Sequence, residues 1–392
     1  MYLKEVAKKE IYLILDWWIE HMIDEANGGF YGRIDGFNQL HPKADKGIIL
    51  NTRLLWSFAS AARILDEPKY QQIADRAYYF LIDNFSDDVN GGMNWMLNYQ
   101  GQVIDGKKQI YAQAFAIYAF SEYHRLSGQP KALEKAIALF KLIEQHSFDQ
   151  EQGGYLEAFG QAWEPLEDFR LSEKDANEAK TMNTHLHILE AYTNLYRVYN
   201  NTRLASALGR LIQLFLDRFI DSNTHHLHLF FDEDWKLKSD EVSYGHDIEA
   251  AWLLVEAAEV LGNPPLLSKC KEIAVQIAEV TIAEGLDNDG SLFNEGRGKA
   301  IIDSDKHWWP QAEAIVGFYN AYQISGKTDY IDRVQQIWQF VERYLKDPEG
   351  GEWHWMVNHK GIPILDKEDK AGPWKAPYHN GRMCMELLHR IQ

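Results

Sequence analysis

Apolar positions along this chain recur three and four residues apart far more often than they alternate. That period predicts helices near 3–22, 50–65, 68–84, 109–126, 130–147 and 182–200, then near 202–219, 245–261, 264–284, 308–324, 328–345 and 378–391. Stops such as Gly128-Gln-Pro130, Gly262-Asn-Pro-Pro265 and Gly326 make tight links between the two members of a pair. The longer links share another pattern, a Gly-centred turn followed by aromatic or apolar residues. It occurs as Asn27-Gly-Gly-Phe-Tyr-Gly32, Asn90-Gly-Gly-Met-Asn-Trp95, Gln152-Gly-Gly-Tyr-Leu-Glu157, Asp289-Gly-Ser-Leu-Phe-Asn-Glu295 and Glu349-Gly-Gly-Glu-Trp353. Gly29, Gly92 and Gly154 stand 63 and 62 residues apart, and Gly290 and Gly351 stand 61 apart. The gap between Gly154 and Gly290 holds a degenerate copy without glycine, Asn223-Thr-His-His-Leu-His-Leu-Phe-Phe231.

Six units of two helices each either stack as an open solenoid or close on themselves. A solenoid needs polar capping repeats. The last segment, Pro377 to Gln392, carries Met383, Cys384, Met385, Leu387 and Leu388, so it reads as buried. The expectation is an all-α fold, an (α/α)6 barrel of twelve helices forming one domain over residues 1–392. Short hairpins are expected in the long links, at Phe30 to Arg33 and Met93 to Tyr99.

The even-numbered predicted helices begin alike, with polar or aromatic residues ahead of an apolar body. Helix two starts Leu50-Asn-Thr-Arg53, helix four Ile110-Tyr-Ala-Gln113 and helix six Met182-Asn-Thr-His-Leu-His187. Helix eight starts within Ser243-Tyr-Gly-His-Asp-Ile-Glu249, helix ten at His307-Trp-Trp-Pro-Gln-Ala-Glu313 and helix twelve at Pro377-Tyr-His-Asn-Gly381. One such start is a cap; six in register, as inner helices of a barrel, make a funnel of convergent polar groups whose helix N-termini favour an anion. Arg53, Tyr111, His187, His246, Trp308 or Trp309, and His379 would line it. His246 and Glu249, three apart, share a helical face, an imidazole beside a carboxylate that suits acid–base work or merely caps a core helix. Arg53 serves the site or pairs with a buried carboxylate such as Glu190 or Glu313. His185 and His187 face opposite ways, and only one reaches the funnel. Of Trp308 and Trp309, one stacks on a ligand while the other packs.

Composition narrows the partners. A formal charge of −18, from 58 acidic and 40 basic residues, argues against nucleic acid or anionic membrane. Thirteen Trp and 20 Tyr suit stacking on sugar rings as well as filling a core. Cys270 and Cys384 cannot make a disulfide framework or a cysteine zinc site. His225, His226 and His228 lack metal-ligand spacing partners, and His246-x-x-Glu249 lacks the second half of a helical di-metal motif, so no metal is expected. The N-terminal stretch has no signal-peptide core and no run approaches a membrane span, so a soluble cytoplasmic protein is expected.

Together Lys46-Gly-Ile-Ile-Leu-Asn-Thr-Arg-Leu-Leu-Trp56, Met182 to His187, Ser243 to Ala250, His307-Trp-Trp-Pro-Gln-Ala-Glu-Ala314 and Trp374-Lys-Ala-Pro-Tyr-His-Asn-Gly-Arg382 carry a resemblance. The chain resembles the N-acylglucosamine 2-epimerase superfamily, and within it the cellobiose 2-epimerases, from end to end. The resemblance implies an (α/α)6 barrel without a cofactor, which interconverts the reducing-end glucose and mannose units of β-1,4-linked disaccharides such as cellobiose and lactose. It implies that His246 and His379 are the acid/base pair, surrounded by Arg53, His187 and Glu249. It selects His187 over His185 and matches Trp309 and Trp374 to sugar-contacting tryptophans and Tyr111 to a pocket tyrosine. Asn183 and Trp308, from the same motifs, join the substrate-binding set, and Asp175 in the 160–178 loop and Glu295 match positions that meet the rest of a disaccharide. Glu249, one turn from His246, is expected to raise that imidazole's pKa against the lowering effect of the helix N-terminus. The competing readings are a mannose 2-epimerase, an aldose–ketose isomerase, a glycoside hydrolase on the same barrel, which needs two carboxylates at set separation, and a sugar-binding protein without catalysis.

Overall fold

The computed structural model describes residues 2–172 and 175–391; Met1 and Gln392, and Glu173 and Lys174 within the 160–178 loop, lie outside the described residues. Twelve α-helices are present among the described residues: α1 Tyr2–Met22, α2 Ile48–Leu65, α3 Pro68–Phe80, α4 Ile110–Ser127, α5 Pro130–His146, α6 Met182–Tyr196, α7 Thr202–Leu214, α8 Tyr244–Leu261, α9 Pro264–Val280, α10 Trp308–Ser325, α11 Asp329–Phe340 and α12 His379–Arg390. The even helices are buried on nearly every face, and α2 is buried without a break from Ile48 to Ala62. The odd helices are amphipathic. In α7 the buried residues are Leu204, Ala207, Leu208, Leu211 and Ile212, a single stripe. Each even helix packs on the next, and α12 packs on α2, so the inner ring closes; α3, α5, α7, α9, α11 and α1 pack outside it. This is an (α/α)6 barrel. No described helix is long and apolar enough to cross a membrane.

Two departures from the periodic reading are local. Helix α6 stops at Tyr196 rather than 200, because Asn201 caps α7 by accepting from the N–H groups of Arg203 and Leu204. Helices α3, α7, α9 and α11 each finish in a five-residue π-helical turn, at Leu81–Phe85, Phe215–Phe219, Thr281–Gly285 and Val341–Leu345.

The long links stitch neighbouring units together. Extended residues just ahead of each inner helix pair antiparallel with the following unit's turn. Lys46–Gly47 pairs with Met96–Leu97, Lys108–Gln109 with Ala158–Phe159 and Lys180–Thr181 with Phe230–Phe231. Glu241–Ser243 pairs with Glu295–Arg297, and Lys306–His307 with Met356–Val357. Ile34 pairs with Ala371 and completes the circle. Of the expected hairpins, Phe30 to Arg33 makes only a single bridge, Phe30 to Ile23, whereas Met93 to Tyr99 holds the strand Met96–Leu97, which forms a hairpin with Val103–Asp105. Another hairpin joins Glu295–Arg297 to Ala300–Asp303.

Two further devices fix where each inner helix begins. The fourth residue of the helix holds the backbone of its own unit's turn. Gln113 takes the N–H and carbonyl of Met93 (2.8 and 3.0 Å), and Gln311 takes those of Leu292 (both 2.8 Å). His185 Nε2 accepts from Tyr155 N–H, and Asp247 accepts from Leu227 N–H, each at 2.8 Å. In two of these units glycine stands beside the clamp: Gly92 and Gly154 both sit at φ +81°, and a Cβ there would crowd Trp163 and Gln113, or Trp235 and His185. A buried lysine then ties the turn to the helix start. Lys46–Asp24, Lys108–Asp87, Lys180–Asp149 and Lys306–Asp287 pair at 2.7–3.0 Å, and Lys370 pairs with Asp347. Unit four has Val242 at that place, and its Asp221 meets His228 instead, at 3.5 Å.

Candidate active site

The starts of all six inner helices meet at one end of the barrel. Arg53 on α2 donates through Nη2 to Tyr111 Oη (2.8 Å) and through Nη1 to the Trp374 carbonyl (2.6 Å). Its guanidinium lies over the rings of Phe115 and Tyr378, 4.6 and 4.9 Å away. Burial, outweighing the nearby Arg53 charge, pushes the Tyr111 hydroxyl well above its ordinary range, so it remains a phenol. The His187 ring packs 4.8 Å from both Tyr111 and Phe115. Trp309 packs against two imidazoles, 4.7 Å from His246 and 5.6 Å from His379. Gly245 makes room for it, since a Cβ there would lie 2.5 Å from the indole.

The three histidines are held by their Nδ1 atoms. His187 Nδ1 meets Glu190 (3.0 Å), His379 Nδ1 meets Glu313 (2.6 Å) and His246 Nδ1 meets the hydroxyl of Ser243 (2.7 Å). This directs each Nε2 away from its holding partner. Burial pushes His246 down to about 3, and it lowers His187 and His379 as well, His379 further through the charges of Arg53 and Arg382. All three imidazoles are neutral at ordinary pH before substrate binds.

Beneath the mouth lies a charged layer. The sixth residues of α2, α4, α6, α8 and α10 are Arg53, Phe115, His187, Glu249 and Glu313. Arg382 on α12 reaches the same layer and donates to Glu190, Glu249 and Glu313. Burial opposes the charge on Glu190, but Arg382 and the donors His187 and Tyr378 outweigh it and hold it down to about 2. Burial and the repulsion of Glu313 push Glu249 up to about 8. Glu313 receives His379, Arg382 and Trp252, whereas one oxygen of Glu249 has no partner among the described residues, so the shared proton rests on Glu249. Glu249, Glu313 and His379 bring three potential metal-binding atoms within 4.8 Å of one another. The Arg382 guanidinium already supplies the cation between those two carboxylates.

The structure brings together Arg53, Tyr111, His187, His246, Trp309, Trp374 and His379. Asn183 is the second residue of α6, with its carbonyl oxygen unpartnered among the described residues. Asp175 accepts from Ser172 N–H and Oγ, and its charge reaches Tyr111. Glu295 pairs in register with Ser243, the residue that holds His246. A pocket of about 260 Å³ adjoins Trp374, walled also by Trp95, Leu171 and Pro373. At the far end of the barrel a second cavity of about 710 Å³ carries the pairs Arg63–Glu122, Arg197–Glu256 and Arg390–Glu386.

Several sequence-based expectations are corrected. Glu249 does not attend His246. It lies one turn deeper, bonded to Arg382 and 4.0 Å from His379 Nδ1. Arg53 pairs with neither Glu190 nor Glu313; Arg382 takes both. Trp308 packs under the mouth, 4.4 Å from Trp355, and Trp309 is the ring that faces the histidines. His185 is a core residue whose Nδ1 meets the Thr181 carbonyl. His226 lies between Asp247 and Glu284, and His228 meets Asp221. The roles of Arg382 and Ser243 emerge only in the structure. For Arg382 the signal in the sequence is a charge at the head of the apolar run Met383-Cys-Met385.

Comparison with known proteins follows the same lines. The sequence pattern of the N-acylglucosamine 2-epimerase (GlcNAc 2-epimerase) family matches residues 29–381. The cellobiose 2-epimerase of Bacteroides fragilis is 51% identical over 388 residues, covering 98% of each chain. That of Dictyoglomus turgidum is 39% identical over 393 residues, covering 99% of each. The solved structure of cellobiose 2-epimerase from Bacillus thermoamylovorans B4167 superposes with a TM-score of 0.94 at 40% identity, covering 99% of this chain and 100% of that one.

Proposed function

The chain belongs to the N-acylglucosamine 2-epimerase family, and from that premise we propose how it works as an isomerase that inverts C2 of the reducing-end sugar of cellobiose-type disaccharides. One observation carries the reading: His246 and His379, from two different inner helices, both pack on the Trp309 indole, and each is held through Nδ1 by its own partner. After ring opening, the carbonyl at C1 acidifies the C2 proton. One imidazole takes that proton through Nε2, and the electron pair moves into the C1–C2 bond and onto O1. The other histidine, neutral at rest, takes up a proton from water as the negative enediolate forms beside it and returns that proton to the opposite face, and the first releases its own to water. Inversion needs two groups because one base returns the proton to the face it came from.

Arg53 supports the negative charge on O1. Its guanidinium has five N–H donors, two of which are engaged by Tyr111 and the Trp374 carbonyl. His187, with Nδ1 held by Glu190, turns Nε2 to the mouth as an acceptor for a sugar hydroxyl. Trp309 and Trp374 offer faces to sugar rings, and Asn183, Asp175 and Glu295 meet their hydroxyls. Epimerisation moves protons without net oxidation, so these side chains suffice chemically. The proposal takes residues 1–392 as one catalytic domain acting on small sugars in the cytoplasm, with neither nucleic acid nor membrane as partner.

The test is incubation with cellobiose, lactose and mannose in D2O, with products read by NMR. Deuterium at C2 of an intact disaccharide epimer is expected. Turnover of mannose alone would move the substrate to monosaccharides, and a ketose product would make the enzyme an aldose–ketose isomerase. Free glucose from cellobiose would mean hydrolysis, and unchanged sugars would mean binding only. His246→Ala and His379→Ala should each abolish the exchange.

A further inference from the structure

Arg382 is buried to within 1% and sits on α12 one turn beyond His379. It binds three carboxylates from three different helices, Glu190 on α6, Glu249 on α8 and Glu313 on α10. Its plane is sandwiched by Tyr378 and Trp252, 4.3 and 4.8 Å from the guanidinium carbon. Two of those carboxylates have a second duty, since Glu190 meets Nδ1 of His187 and Glu313 meets Nδ1 of His379.

We propose that Arg382 is a positioning residue that sets the tautomer of two pocket histidines at once. By keeping Glu190 and Glu313 as carboxylates it makes each an acceptor only. Nδ1 of His187 and of His379 must then carry the imidazole proton, and both Nε2 atoms offer lone pairs to the mouth. Without the guanidinium, the buried carboxylates of Glu190 and Glu313, beside an already protonated Glu249, take up protons too. A protonated carboxyl can donate to Nδ1, which puts the imidazole proton on Nε2 and silences the base. Lysine does not replace this function, because a point charge cannot bond three carboxylates in one plane between two aromatic rings.

His246 lies outside this control. Its partner Ser243 Oγ both donates and accepts, so the neutral His246 ring follows whatever atom faces its Nε2. The two catalytic histidines are thus unlike: His379 is committed to a lone pair at rest, and His246 is free to present N–H or lone pair. The use made of this asymmetry rests on the epimerase reading above, but the tautomers belong to the folded chain.

The experiment is a long-range ¹H–¹⁵N correlation spectrum of the full chain with ¹⁵N-histidine at pH 7, assigned through His187→Gln and His379→Gln. Both residues are expected in the Nδ1–H form with a pyridine-like Nε2. A protonated Nε2 on neutral His379 or His187 in the wild type overturns the proposal, whatever the variants do. Arg382→Lys, checked for fold by circular dichroism, should mix the tautomers and lower kcat by roughly 10²–10⁴-fold with little change in KM. Arg382→Met should do the same where it folds. If Arg382→Lys loses only thermal stability and keeps both tautomers, the residue is merely structural and the proposal fails. Because the spectrum needs no turnover, a protein inactive on every sugar tested would sink the epimerase reading alone.

Discussion

Substituting Tyr111 by Phe isolates the preorganisation of Arg53. The ring keeps its near-perpendicular packing on His187 and its contact with Phe115, and only Oη is lost. Arg53 Nη2 then has no acceptor, and Nε already has none among the described residues. A single fixed bond remains, from Nη1 to the Trp374 carbonyl, and the guanidinium can turn about it. A hydrogen bond from a charged donor contributes about 1.5–3 kcal/mol, and each ~1.4 kcal/mol is tenfold in rate, so kcat/KM should fall roughly 10- to 150-fold. If Arg53 meets charge that develops on O1 only in the transition state, kcat carries the loss and KM moves by less than about threefold. The assay is initial rates on cellobiose across a concentration series, with thermal unfolding as the check on folding. A kcat/KM within twofold of wild type, or a loss confined to KM, would refute this account of Arg53.

Three other substitutions probe the framework. Gly245→Ala places a Cβ 2.5 Å from Trp309 and should push the indole off its contacts with the two histidines, lowering kcat/KM at least about tenfold at an overpacking cost of roughly 1–3 kcal/mol; unchanged kinetics would mean the indole position is immaterial. Burial pushes Glu157 up to about 8 although Thr184 and Thr181 donate to it. The folded chain therefore holds a proton that the unfolded chain has released above about pH 4.5. Stability from this group is lost as pH rises from there to about 8, at about 1.4 kcal/mol per pH unit. Glu157→Gln should shrink the difference in urea midpoint between pH 5 and pH 8, and an equal difference in both proteins would contradict the assignment. Lys108→Met strands the buried Asp87 and should cost about 3–5 kcal/mol, whereas Lys108→Met with Asp87→Leu should recover most of that in urea titrations.

The helices and their sixfold order were legible because inner and outer helices differ in how much of their circumference is apolar, and the Gly-Gly turns mark the period. Unit four was visible as irregular, and the structure gives a reason: Asp247 makes the clamp while also holding His226, which stands where the other clamped turns have glycine or serine, and Val242 replaces the usual lysine. The buried lysines were not legible, because a lysine ahead of a helix reads as a solvated residue until its aspartate, 19 to 31 positions earlier, is seen to fold back on it. Spacing misplaced Glu249 for a related reason. Residues three apart share a face, but they differ in depth along the barrel axis, and the axis decides which residues on other helices they meet. The Nδ1 partners of His379 and His187 follow from that depth and were out of reach of periodicity.

The clamp at the fourth residue of the inner helices has an evolutionary consequence. What it recognises is an amide of the main chain, and Gln, His, Asp and Gln again all satisfy that one demand. Mutation can therefore exchange these side chains without redrawing the path of the backbone. The neighbouring positions become interchangeable sockets, in which Arg53, Phe115, His187, Glu249 and Glu313 are five fillings of one slot. A barrel built this way reaches new chemistry by refilling sockets, while its architecture is inherited unchanged.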